Sequence, residues 1–167
     1  MKKFLLVLAV VFGLSTTAMA QQKGDAFIGG AIGFSAGTDS ATSFGLAVEG
    51  GGFVANRLAL SGEVAYNLVA GEINVITVGP KLSYYARLAD KFYYTPGVRV
   101  VGAYVNVGGA DTGNIGVGLD LAAFEFRPTQ HFGMKVNLFS MSAMFNNGFS
   151  FSADMMMNTS VSFRYYF

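Results

Sequence analysis

The chain has no cysteine, no tryptophan and only one histidine, and charged residues make up just 13% of its 167 positions. Without cysteine it cannot form a disulfide scaffold, a thiolate metal site or a lipid anchor on a cysteine. A single histidine excludes a multi-histidine metal cluster, and we expect neither a metal nor a cofactor. Soluble domains carry roughly 25% charged residues, so an ordinary cytosolic enzyme is not expected. The net charge of +1 gives no reason to expect nucleic acid as a partner.

Apolar residues supply 52% of the chain and glycine supplies 22 positions. Such a high apolar content with so little net charge excludes an intrinsically disordered chain. The length suits one domain. The chain must therefore bury, or place in lipid, more apolar surface than a conventional soluble domain of this size.

The N-terminus has the layout of a secretory signal peptide. Lys2 and Lys3 precede the apolar run Phe4–Leu14, and Ala18-Met19-Ala20 is a small-x-small cleavage site. The alternative, a membrane anchor, is disfavoured because this run is too short to cross ~30 Å of hydrocarbon. We predict a signal peptide over 1–20 and a single mature domain over 21–167.

After residue 20, no apolar run approaches the roughly 20 residues that a transmembrane helix needs. A closed β-barrel is the other structure that satisfies its backbone hydrogen bonds within a bilayer. Such a barrel requires strands in which apolar and polar residues alternate.

The alternation is clearest near the C-terminus. Apolar residues recur at odd positions from Phe149 to Phe167 and at even positions from Phe132 to Leu138. Between these segments, Asn147-Gly148 is a strong signal for a two-residue hairpin turn. This turn predicts a register whose partners sum to 295, pairing Met144 with Phe151 and setting His131 opposite Arg164.

Six further segments alternate in the same way, which predicts an eight-stranded antiparallel meander. The first two, at about 25–35 and 43–54, are rich in glycine. The apolar phase slips at Ala122-Ala123, which indicates a β-bulge. Short turns at 55–57, 88–91 and 127–131 alternate with longer loops at 36–42, 69–73 and 106–114.

Periodicity alone is compatible with a soluble lipocalin-like barrel or with a membrane barrel, which place their apolar faces on opposite sides. The polar phase is rich in Gly, Ala and Ser, as a narrow lumen requires, and lacks the many Lys and Glu of a soluble exterior. Aromatic residues also lie near the strand ends of the apolar face, like the girdles of membrane barrels. We therefore predict an all-β, eight-stranded antiparallel up-and-down transmembrane β-barrel.

Charged residues of both signs lie in the polar phase. Eight strands enclose a lumen that side chains just fill, and an unpaired buried charge costs several kcal/mol. We predict an interior ion-pair network that plugs the barrel. Its expected members are Glu49, Glu63, Lys81, Arg99, Asp120, Glu125, Lys135 and Arg164. Arg87 and Arg127, beside short turns, are expected to face bulk water.

With this signal peptide, meander and inward charge cluster, the chain resembles the small outer-membrane barrels of the OmpA/OmpX type, also described as the porin-family outer-membrane barrel domain. The resemblance covers 21–167 and rests also on the turn segment 53–60 and on the terminal Phe163-Arg164-Tyr165-Tyr166-Phe167. It implies location in the outer membrane of a Gram-negative cell envelope, contact with lipid and lipopolysaccharide, and recognition of Phe163, Tyr165 and Phe167 by the barrel assembly machinery.

Catalysis is not expected, because His131 lies in a predicted turn beside no nucleophile. The predicted role is structural or surface-interacting, in adhesion or envelope integrity. The alternative is a small porin-like channel or a carrier of small or hydrophobic molecules, for which the glycines of the first two strands could leave space. The last strand is long enough to project as a hairpin that could meet an extracellular partner. Its predicted tip comprises Met144, Phe145, Asn146, Asn147, Gly148, Phe149 and Phe151.

Overall fold

The computed structural model describes residues 22–35, 42–69, 73–145 and 149–167, with side chains throughout except at 34–35 and 152–160. The predicted signal peptide (1–20), Gln21 and the tip residues Asn146, Asn147 and Gly148 lie outside the described residues. The described part contains no helix that is long and apolar enough to cross a membrane.

The described residues form ten strands. They are β1 (Ala26–Ser35), β2 (Ser43–Ala55), β3 (Leu58–Val69), β4 (Ile73–Tyr84), β5 (Ala86–Ala89), β6 (Phe92–Tyr94), β7 (Gly97–Val107), β8 (Ala110–Phe126), β9 (Phe132–Phe145) and β10 (Phe149–Tyr166). Eight of them close a cylinder in the order β1-β2-β3-β4-β7-β8-β9-β10, and β10 pairs back onto β1. Each neighbouring pair is antiparallel, which confirms the predicted up-and-down barrel.

The two short strands form a small hairpin that continues the wall. β5 follows β4 after Tyr85, and β6 pairs with both β5 and the end of β8. Between β6 and β7 the strand is interrupted at Thr95-Pro96, where proline has no N–H to donate to a neighbouring strand. The barrel wall therefore has the eight strands expected. Two of them are interrupted near one end, where β4 continues as β5 and β6 continues as β7.

The turns at one end are short. Asn56-Arg57 joins β2 to β3 and Asp90-Lys91 joins β5 to β6, with positive φ at Arg57 (66°) and Lys91 (62°). We call this the turn end, which also holds the described terminal segments, and the opposite end the loop end. At the loop end the predicted loop 106–114 is wrong. Gly108 and Gly109 adopt positive φ, so β7 and β8 stay paired up to Val107 and Ala110.

The predicted register of the last hairpin is also wrong. Phe145 pairs with Phe149, so the connection contains three residues rather than two. Below it the register shifts between Met155 and Ser160, after which Gly133 rather than His131 lies opposite Arg164. The bulge predicted at Ala122-Ala123 is confirmed by register shifts at that point of the β8–β9 pairing.

Apolar side chains cover the outside of the barrel. Leu60 and Val98 are 48% and 43% exposed, whereas Ser61 and Lys81, which belong to the polar phase of their strands, are each 5% exposed. An outer surface of this kind is stable only in contact with lipid, because a soluble exterior would carry charged groups. The lipocalin-like alternative is therefore excluded.

One side of the barrel is taller than the other. β8 and β10 contain 17 and 18 residues, but β1 contains 10 and pairs with β10 only from Phe27–Tyr166 to Ile32–Val161. At ~3.3 Å per residue and a tilt of about 45°, 17 residues rise ~40 Å, beyond an apolar band of ~25 Å. The wall built from β7 to β10 therefore extends past the band at the loop end.

Candidate functional site

Five aromatic side chains fill the lumen at the turn end, and we call them the aromatic floor: Phe27, Phe53, Tyr85, Tyr93 and Tyr166. Phe53 packs edge-on against Tyr85 at 5.0 Å between ring centroids, and Phe27 lies 5.5 Å from Tyr166. All five are at most 3% exposed. None of the five was predicted as a site residue, although four lie in the inward phase of their strands and Tyr85 lies between β4 and β5. Together they close this end of the lumen.

Arg164 lies directly above the floor and joins four strands or their extensions. Its Nη1 donates to the Tyr85 hydroxyl at 2.5 Å and to Glu125 Oε2 at 2.9 Å, and its Nη2 pairs with Glu49 Oε2. The Tyr166 hydroxyl donates to the other Glu125 oxygen. We call these five residues the Arg164 network. Its guanidinium and Glu125 are both fully shielded from solvent, and the low local dielectric strengthens each of these bonds.

Glu49 links the network to β3, since Ser61 Oγ donates to its Oε1 at 2.7 Å. A second group lies beside it, where Lys81 pairs with Asp120 and Asn137 Nδ2 donates to Asp120 Oδ1 at 3.0 Å. Arg99 Nη1 is 3.9 Å from the same Asp120 oxygen. Asp120 therefore serves several donors at once.

Of the eight predicted network residues, six are joined in these two groups: Glu49, Glu125 and Arg164 in one, and Lys81, Arg99 and Asp120 in the other. Glu63 lies on the inner wall, half-buried, with no ion pair among those found in the described residues. Lys135 is 4% exposed, and its Nζ has no hydrogen-bond partner in the part of the chain described.

The expectation that Arg127 faces bulk water is wrong. Arg127 is 4% exposed, its guanidinium lies 3.5 Å from the centre of the Tyr166 ring, and its Nε is 3.9 Å from Glu125. The phase slip at Ala122-Ala123 explains this placement, because it turns the odd positions Ala123, Glu125 and Arg127 inward. Arg87 pairs instead with Asp90 in the exposed turn.

Above the two charged groups the lumen opens into a cavity of about 180 Å³, which we call the vestibule. Glycine and alanine form much of its wall, including Gly29, Ala31 and Gly33 of β1 and Gly45 and Ala47 of β2. Lys135, Arg99, Glu63 and Asn137 also line it. The glycines of the first two strands thus leave space inside the lumen, above the aromatic floor, as the carrier alternative required.

Within the described residues, His131 contacts the last two tyrosines of the chain. Its Nδ1 lies 2.9 Å from the Tyr166 carbonyl oxygen, and its ring stacks on Tyr165. No group of three or more His, Asp or Glu side chains that could hold a metal ion occurs among the described residues. The described interior thus offers ion pairs and a small polar cavity.

The predicted surface features lie outside the barrel, with one correction. Phe163, Tyr165 and Phe167 are 47–70% exposed at the turn end, and Phe145, Phe149 and Phe151 are 48–67% exposed at the loop end. Met144 is not part of that exposed group. It pairs with the buried Gly116, where an added Cβ would collide with the Met144 sulfur. The register shifts of β9 turn its side chain toward the lumen.

No protein-family model matches the chain, and no curated protein is similar to it in sequence. Solved outer-membrane proteins share its fold, among them the following two. The crystal structure of Neisserial surface protein A superposes with a TM-score of 0.58 at 14% identity, over 84% of this chain and 95% of that one. The outer membrane protein Ail of Yersinia pestis, in a phospholipid nanodisc, superposes with a TM-score of 0.51 at 10% identity, over 85% of this chain and 99% of that one. At such identities the likeness concerns the fold, and in fold this chain is a small eight-stranded transmembrane β-barrel.

Proposed function

We propose that the protein is an integral outer-membrane barrel that is closed to solutes and acts through the surface exposed at its loop end, in adhesion or in the integrity of the envelope. The observation that carries the proposal is the aromatic floor with the Arg164 network above it. Both lie across the lumen, and an ion or solute would have to break buried ion pairs and displace packed rings to pass.

Location in the outer membrane is supported by the apolar exterior and by the shared fold, one relative of which is named a surface protein. We propose that residues 1–20 are a cleaved export signal. Lipid and lipopolysaccharide would contact the apolar belt, and the barrel assembly machinery would read the outward Phe163, Tyr165 and Phe167. The taller wall, with exposed Phe145, Phe149 and Phe151, would meet an extracellular partner.

Conductance in planar lipid bilayers tests closure. The refolded protein is expected to give no steady conductance above the lipid background, whereas the Phe53→Ala/Tyr85→Ala variant, which empties the floor, should give flickering openings. A large, steady conductance from the unaltered protein would favour the porin-like alternative and end the proposal of a closed barrel.

Cysteine labelling on intact cells tests location and orientation, and the absence of native cysteine makes each introduced thiol unique. Phe149→Cys at the loop end is expected to react with a membrane-impermeant maleimide on intact cells. The matched variant Asn56→Cys, in a turn at the opposite end, is expected to react only after the outer membrane is permeabilised. The reverse pattern, or no labelling at either position of the folded protein, would contradict the proposed orientation.

A further inference from the structure

The vestibule is lined by Lys135, a buried lysine that forms no direct ion pair among the described residues. Lys135 is 4% exposed, and its Nζ has no hydrogen-bond partner in the described part of the protein. An unpaired charge at such burial costs several kcal/mol, and proteins meet that cost with a counter-charge or ordered water. The carboxylates near Lys135 already have other partners: Arg164 pairs with Glu49 and with Glu125, which lies opposite Lys135 in the β8–β9 register, and Lys81 pairs with Asp120.

Two further polar groups lining the same cavity are also unsatisfied. Arg99 Nε has no hydrogen-bond partner among the residues that the structure describes, and the ion-pair contact of its guanidinium with Asp120 is as long as 3.9 Å. Asn137 donates to Asp120 through Nδ2, but its Oδ1 accepts no hydrogen bond within the described ranges. The vestibule is thus lined by two cationic side chains, Lys135 and Arg99, and by one hydrogen-bond acceptor, Asn137 Oδ1, that is not in use.

Glycines of the wall leave room for these side chains and for the cavity beside them. Gly118 accommodates the Arg99 side chain, since a Cβ at that position would lie 2.6 Å from Arg99 Nε. No atom lies within 4 Å of where a Cβ would stand at Gly33. A cavity of about 180 Å³ has room for about six waters at ~30 Å³ each, which also suffices for one tetrahedral oxyanion with residual water.

We infer that the vestibule is a binding site for a phosphate group, held by Lys135 and Arg99. Lys135 supplies a point charge, and the planar guanidinium of Arg99 supplies parallel donors that match two oxyanion oxygens. Asn137 Oδ1 accepts from the hydroxyl of a singly protonated phosphate. Two cations with one acceptor suit such a phosphate better than a carboxylate, which has no hydrogen to donate.

Glu63 is the internal competitor for this site. It lines the same cavity and is half-buried, so its carboxylate repels a bound phosphate. Neutralising it with Glu63→Gln should therefore tighten phosphate binding.

The phosphate could be free or part of a lipid. A free ion would enter from the loop end. A lipid phosphate would enter beside Gly33 and Ser162, which line the cavity where the pairing of β1 with β10 stops. The two sources share one chemistry, and separate arms of a single experiment distinguish them.

The experiment is a nuclear magnetic resonance titration of the full mature barrel, labelled with nitrogen-15 at glycine and refolded in dodecyl maltoside. One arm adds inorganic phosphate against sodium chloride of equal ionic strength, and the other adds lipopolysaccharide in phosphate-free buffer. The amide signals of Gly29, Gly33 and Gly45, which line the vestibule, are expected to shift and saturate in at least one arm. Those of Gly108 and Gly109, at the β7–β8 tip, should stay in place.

Matched variants decide the assignment. Lys135→Gln should weaken binding about tenfold or more, because it removes the charged donor. Arg99→Gln should weaken it as well and serves in place of Lys135→Gln if that variant does not refold. Glu63→Gln should tighten binding. An absence of saturable shifts in both arms, or binding by Lys135→Gln or Arg99→Gln equal to that of the unaltered barrel, would overturn the inference.

Discussion

The two halves of the lumen are built on opposite principles, although the same strands form both. At the turn end, rings and paired charges fill the interior, and Arg164 and Glu125 are fully shielded. Toward the loop end, glycine and alanine form much of the wall, and Lys135 has no hydrogen-bond partner in the described residues. β1 shows the change along a single inward face, from Phe27 to Gly29, Ala31 and Gly33. Side chains therefore fill the lumen at the turn end, whereas the described residues toward the loop end leave a cavity.

Of the substitutions that test this difference between the two halves, removal of Arg164 should reduce the unfolding free energy most. Arg164→Ala leaves Glu49 and Glu125 buried without their cation, and we expect a loss of about 4 kcal/mol of unfolding free energy. Urea unfolding in lipid vesicles measures it. Far-UV circular dichroism is the suitable signal because the chain has no tryptophan.

The matched control is Arg87→Ala, which removes an arginine whose pair with Asp90 is 38% and 30% exposed. Exposed pairs contribute little, so its loss should stay below ~0.5 kcal/mol. Equal losses in the two variants would mean that the Arg164 network does not support the closed half.

Removing a ring from the aromatic floor should cause the next largest loss of unfolding free energy. Phe53 is 3% exposed and packs against Phe27 and Tyr85, so Phe53→Ala should cost about 3 kcal/mol by leaving a cavity. The comparison variant is Phe145→Ala at the loop end, where the side chain is 48% exposed and the cost should be under ~1 kcal/mol. Heat-modifiable gel mobility gives a second readout, and a loop-end variant melting below the floor variant would contradict the expected order.

The eight-stranded barrel and the outward position of its apolar side chains were predictable, because period-two alternation and strand number can be read locally from the sequence. The register of the last hairpin was not. Asn147-Gly148 suggests a two-residue turn, whereas Phe145 pairs with Phe149 across three residues. The shift between Met155 and Ser160 then moves the lower half again. Such shifts depend on how the strand fits both neighbours, which alternation does not encode.

The interior residues were predictable as a set but not as partners. Alternation assigns Glu49, Lys81 and Arg164 to the inner phase, yet which ones meet depends on strand tilt and stagger around the cylinder. Arg164 meets Glu49 on a strand two places away in the order of the barrel. The position of Arg127 beside a turn suggests a solvated side chain, but the phase slip at Ala122-Ala123 turns it inward.

Two glycines on the same face of β1 sharpen the comparison further. An added Cβ at Gly29 would lie 2.8 Å from both Arg164 Cγ and the Phe163 carbonyl oxygen, whereas at Gly33 nothing lies within 4 Å. Gly29→Val should therefore cost about 2 kcal/mol through overpacking. Gly33→Val should be neutral or stabilising, because valine favours extended backbone and the vestibule accepts its methyl groups. Urea midpoints compare them, and a Gly33 variant as damaged as the Gly29 variant would mean that the vestibule is not open space.

The smallest expected effect concerns the tip of the taller wall, beyond both halves of the lumen. Asn106 Nδ2 donates to Asp111 Oδ1 at 2.5 Å, and this bond, with one from Tyr104, holds the pKa of Asp111 below its ordinary value. Because the folded state favours the carboxylate, its contribution is present above the ordinary pKa and is lost as the pH falls through the folded-state value.

Hydrogen-exchange protection of the Val107 and Ala110 amides, measured between pH 6 and pH 3 and corrected for intrinsic exchange, is expected to drop only in the acid part of this range, below about pH 4. The drop should be slight, since Asp111 is fully exposed and solvent screens its interactions. Asp111→Asn keeps an acceptor that does not titrate and should abolish the pH dependence.

The protection of amides beside the Arg164 network should not follow the same curve, because the tip can open without disturbing the floor at the opposite end. A shared pH transition at both places would mean that the two ends of the barrel are coupled rather than independent.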